Sequence, residues 1–131
     1  GRDVFVALRQ GDTVRWEAGP QGGYHIWTGV ALSSVHIDAL SEAQRREVVQ
    51  TYKIWRMDGT LLAETTRYGG LRLAQDQPTH PWQSIGQYAV LDAPVRPRRL
   101  DGSLLRYRVE ITTPNGISLW RESLITSQCC D

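Results

Sequence analysis

Leu105, Tyr107, Val109 and Ile111 alternate with Arg106, Arg108, Glu110 and Thr112, the period of two that a strand shows when one face is buried and the other meets water. Thr13 to Glu17 repeats the pattern in shorter form, with Val14 and Trp16 assigned inward and Thr13, Arg15 and Glu17 outward. Tyr24 to Leu32 differs, because apolar side chains fall at both parities. A strand covered on both faces, or one in the middle of a sheet, reads this way. Further strands are predicted over 3–9, 47–56, 60–67, 84–91 and 117–125, with a short one over 71–73.

Turn chemistry separates these runs. Gly19-Pro20-Gln21-Gly22-Gly23 can reverse the chain tightly, since proline fixes its own φ and glycine accepts positive φ without a clash. Met57-Asp58-Gly59-Thr60 predicts a hairpin with a type I′ turn, and Asp101-Gly102 and Thr113-Pro114-Asn115-Gly116 predict two more reversals. Ser33-Ser34 marks a bend before Val35. Residues 75–83, with Pro78, His80, Pro81 and Trp82 and no periodicity, read as an exposed loop of the kind that carries specificity. Ser41-Glu42-Ala43-Gln44 has the form of a capping box. It allows at most one short helical turn near 41–46, because strand chemistry resumes directly after it.

Seven to nine strands at roughly ten-residue spacing, with no long helix to cover them, predict two packed antiparallel sheets. An immunoglobulin-like β-sandwich fits best, although the Cys-Trp-Cys signature of antibody domains is absent. One domain is expected over 1–126, followed by a tail over 127–131. A chain of 131 residues can build one core without disulfides or metals.

Charge narrows the partners. Fifteen basic and fourteen acidic residues leave a net charge of +1, so no global field exists to hold a polyanion and no nucleic-acid partner is expected. Fourteen of the basic residues are Arg, scattered along the chain, which reads as a GC-rich genome rather than a phosphate site. No run approaches the roughly 20 apolar residues of a membrane span. No basic-then-apolar leader is present, but Gly1 is not a natural start, so a leader could have been removed; a lipid anchor would lie outside these residues. Cys129 and Cys130 are adjacent and have no distant partner, which leaves a vicinal disulfide, an intermolecular bridge or free thiols on a frayed tail.

Gly19-Pro20-Gln21-Gly22-Gly23-Tyr24-His25-Ile26-Trp27 resembles a GPQGGYH-x-W motif found in exported and lipoprotein-type proteins of unknown function from myxobacteria and related soil bacteria. Residues 101–102, 106–112 and 115–116 are similar to the final hairpin of many bacterial immunoglobulin-like domains. The resemblance implies an exported sandwich that is periplasmic, attached to the outer membrane or extracellular. It implies no known activity.

Three constellations could carry chemistry. His25, His36 and His80 could hold copper or zinc if the fold brings them together, although their spacing matches no short metal motif. Five tryptophans exceed what one core of this size usually holds. Trp16, Trp27 and Trp55 lie in strands and are assigned to the core, whereas Trp82, with Tyr68, Trp120 and His80, could form a sugar-stacking or partner-binding patch. Neither a G-x-S-x-G elbow, an H-E-x-x-H helix nor a G-x-x-x-x-G-K loop occurs. The expectation is a non-catalytic module without a cofactor, mediating protein interaction, self-association or a structural role by edge-strand pairing or a loop patch near 78–83. The alternatives are glycan binding and, third, histidine-based metal binding.

Overall fold

A computed structural model describes residues 4–8, 13–18, 23–73, 81–92 and 95–129. Among these residues there are nine strands: β1 Val4–Leu8, β2 Thr13–Ala18, β3 Tyr24–Ser33, β4 Val49–Arg56, β5 Leu61–Tyr68, β6 Arg72–Leu73, β7 Trp82–Val90, β8 Leu104–Thr112 and β9 Ser118–Cys129. β1, β3, β7 and β6 pair antiparallel in one sheet. β5, β4, β8 and β9 pair antiparallel in the other. β2 joins the two, antiparallel to β3 at Glu17 and Ala18 and parallel to β9 from Thr13 to Trp16. This division of strands, with an extra hairpin strand beside β4 and β2 passing from one sheet to the other, is that of an immunoglobulin-like sandwich.

The core lies between the sheets. Leu105, Tyr107, Val109 and Ile111 are all buried, as their alternation requires, and they pack with Tyr52 and Ile54 of β4, Ile26, Val30 and Leu32 of β3, and Ile125 of β9. Trp16 is fully buried and donates its indole N–H to Ser127 Oγ at 2.7 Å. β3 has neighbours on both sides and buries residues of both parities, Val30 and Leu32 as well as Ala31; its register with β7 shifts between Thr28 and Val30.

Several local expectations are corrected. Two helical turns follow β3 rather than one: α1 Val35–Asp38, capped by Ser34, and α2 Glu42–Arg45, whose capping box is formed by Ser41 and Gln44. A 3₁₀ turn, Pro97–Leu100, precedes β8. Gly59 N–H donates to Arg56 O and Arg56 N–H to Thr60 O, so the β4–β5 loop has three residues. Only Gly59 has positive φ there, because Asp58 does not adopt it, and the connection is a type I turn with a glycine bulge instead of type I′. The segment 127–129, expected as tail, is strand: β9 runs to Cys129 and takes β2 as a parallel neighbour. The free edge of β5 is partly covered, since Leu91 bridges Ala63 and Asp92 N–H donates to Leu62 O at 2.8 Å. Among the described residues, no helix is long and apolar enough to cross a membrane.

Candidate binding face

Opposed residues of an antiparallel pair share a face, so the register of β5, β4, β8 and β9 lays out rows across the outer side of their sheet. One row reads Glu64, Lys53, Arg108, Glu122. On one side of it lies Thr66, Thr51, Glu110, Trp120, and on the other Leu61, Trp55, Arg106, Leu124. Each row spans three strand spacings, roughly 14 Å.

Electrostatics hold these side chains in place. Lys53 and Arg108 stand directly opposite each other, which costs energy for like charges. Glutamates on both flanks offset it: Lys53 pairs with Glu64 at 3.7 Å, and Arg108 pairs with Glu110 at 3.1 Å and Glu122 at 3.4 Å. Ser118 Oγ donates to the other oxygen of Glu110 at 3.1 Å. The two indoles are each set against a guanidinium, Arg108 at 4.3 Å from the Trp120 ring centre and Arg106 at 4.7 Å from that of Trp55. A hollow of about 300 Å³ opens between β4 and β8, lined by Thr51, Lys53, Trp55, Arg108 and Glu110.

The residues singled out from sequence divide between this face and elsewhere. Tyr68 and Trp120 are on it, 73% and 54% exposed, near its opposite edges. Trp82 is not: it begins β7, is buried, donates its indole N–H to Asp38 at 2.8 Å and lies under Arg45. The loop reading of 75–83 therefore ends two residues too late, and the pairing of Trp82 with Leu32 draws it inward. His25 pairs near the start of β3 and His36 lies beyond its end in α1, separated by about 25 Å of strand rise; they do not converge. His80 lies outside the described residues. Among those residues, no group of three metal-ligating side chains occurs. Cys129 is disulfide-bonded, and Cys130 lies outside the described residues. The side chain of Trp27 is also outside the described set.

Trp82 and Gln83, at the end of 78–83, and Tyr24, after the Gly19–Gly23 run, lie toward opposite ends of β3. Trp82 and Gln83 pair with Leu32 and Ala31, whereas Tyr24 O accepts from Leu91 N–H at the other end of β3.

None of the five residues lining the hollow was singled out from sequence, and Trp55 was assigned to the core. Tyr52 and Ile54 are inward and fully buried, so strand parity puts Trp55 outward with Thr51 and Lys53. Parity carried the signal, and assigning an aromatic residue in a strand to the core overrode it.

No protein-family model matches the chain, and no curated protein sequence matches it. Among solved structures, the chain is similar to two of Parabacteroides merdae β-glucuronidase, one with glycerol in its active site. Both are 10% identical with a TM-score of 0.47, over 92% of this chain and 14% and 13% of theirs. It is also similar to murine CRIg, at 11% identity and a TM-score of 0.40 over the whole of both chains. The chain spans about one seventh of the glucuronidase length.

Proposed function

We propose that the chain is a non-catalytic recognition module, exported to the cell surface or periplasm, that binds through the outer face of the β5-β4-β8-β9 sheet. One observation carries this reading: Trp55 and Trp120 are set against Arg106 and Arg108 on a solvent-facing sheet that also presents Tyr68. Leaving Trp120 more than half exposed forgoes its burial within the fold. Trp, Tyr and Arg are also the residue types that contribute most at binding surfaces. The disulfide at Cys129 fits an oxidising compartment, as does the resemblance of residues 19–27 to exported proteins.

The test compares wild type with Trp55→Ala, Trp120→Ala and, as a control just after α2, Arg46→Ala, each immobilised and challenged with envelope extract and culture fluid. Binding that survives Arg46→Ala and falls in both tryptophan variants is expected. Retention of every bound species by both tryptophan variants would move the site off this face.

A further inference from the structure

We propose that the hollow between β4 and β8 binds one neutral pyranose unit of a glycan chain. The inference rests on the outer face being the binding surface and names what the face takes. A sugar ring offers an apolar C–H face and a rim of hydroxyls that both donate and accept. The hollow supplies each complement: the Trp55 indole as a stacking wall, the Lys53 ammonium as donor, the Glu110 carboxylate as acceptor and the Thr51 hydroxyl as either. Its volume of about 300 Å³ is at the lower end of small-ligand sites, which suits a single ring.

Charge selects a neutral ligand. Lys53, Arg106 and Arg108 are balanced on this face by Glu64, Glu110 and Glu122. An anion approaching Arg108 meets the two carboxylates already bound to it. The same density of Lys and Glu disfavours a protein partner, because interface cores are depleted in both. Hydroxyl groups can replace water on these charges without stripping them. The walls are also ordered before binding, by the Lys53–Glu64 and Arg108–Glu110 pairs and by Arg106 against Trp55. Less side-chain freedom is then lost when the ligand arrives. Trp120 stands across the strand from Glu110 and gives a second platform for later units, so an oligosaccharide binds more tightly than its monomer.

The test titrates wild type with neutral oligosaccharides of glucose, mannose, xylose and N-acetylglucosamine, and with heparin as an acidic probe, following the indole N–H signals by NMR. For at least one neutral oligosaccharide, the Trp55 and Trp120 signals are expected to shift while those of buried Trp16 and Trp82 stay fixed. Calorimetry on Trp55→Ala should show affinity weakened about tenfold or more, with Trp55→Phe intermediate. If Trp55→Ala fails to fold, the wild-type shifts alone decide. Response to heparin only would overturn the neutral-ligand inference. No glycan response, together with a captured protein lost on Trp55→Ala, would overturn the glycan and keep the face. A glycan that shifts neither Trp55 nor Trp120 would overturn both readings.

Discussion

The indole N–H of Trp82 donates to Asp38 Oδ1 at 2.8 Å, tying the first residue of β7 to the helical turn that follows β3. Arg45 of α2 covers the same ring, its guanidinium carbon 5.0 Å from the ring centre. Trp82 is thus a joint between the inter-sheet core and the α1–α2 connection. Trp82→Ala is expected to lose about 3–5 kcal/mol, as large aromatic truncations in cores do. Asp38→Ala, which removes an exposed acceptor and leaves the indole N–H to water, is expected to lose about 0.5–1.5 kcal/mol. Urea unfolding measures both; an unchanged midpoint for Trp82→Ala would mean that the residue does not hold this joint.

Trp16 and Ser127 make the corresponding link between the ends of the chain. Their bond is buried and lies where β2 and β9 run parallel. Ser127→Ala leaves the Trp16 donor without this acceptor inside the core, at a cost of about 1–3 kcal/mol. Hydrogen exchange adds a location: protection of the 13–16 and 126–129 amides should fall more than that of the β4–β8 ladder. An equal loss everywhere would show that this link does not have a local role.

What could be read from the sequence was what neighbouring residues encode. The alternation of β8 assigned a face to each residue from Leu105 to Thr112, and the Asp58-Gly59 pair placed β4 beside β5. Contacts between distant residues were not legible. Trp82 sits behind prolines and a histidine that suggested a loop, and its partner Asp38 is 44 residues away. Strand formation at 127–129 depends on β2, at the other end of the chain. The hollow is a product of register: Lys53, Trp55, Arg108 and Glu110 become neighbours only because Thr51 opposes Glu110 and Lys53 opposes Arg108.

Trp120 should behave as a surface residue in stability and as a contact residue in binding. The residue is 54% exposed, so Trp120→Ala is expected to change stability by no more than about 1 kcal/mol. A double-mutant cycle with Arg108→Ala should give a coupling of about 0.5–1 kcal/mol, the range of an exposed cation–π contact. A coupling indistinguishable from zero would mean that the guanidinium and the ring are not held together in solution.

Alkaline pH probes one of the polar groups that the core encloses. Tyr52 is fully buried and donates its hydroxyl to Gln50 Oε1 at 2.6 Å, while the Gln50 amide donates to Gly69 O. Burial pushes the Tyr52 phenol above its ordinary value, outweighing the opposing pull of Arg67 and of the Ser84 hydroxyl nearby. In the unfolded chain the phenol ionises near pH 10. Above that pH the unfolded state releases a proton that the folded state retains, so stability falls as pH rises. The stabilisation is fully present below about pH 10 and is lost progressively above it. Tyr52→Phe removes the titration but leaves Gln50 Oε1 without this donor, costing about 1–3 kcal/mol at neutral pH. Urea unfolding at pH 7 and at about pH 10.5 should therefore show the variant less stable at neutral pH but with a smaller loss on going alkaline. Equal losses in the two proteins would mean that the Tyr52 phenol is not the group whose ionisation the core resists.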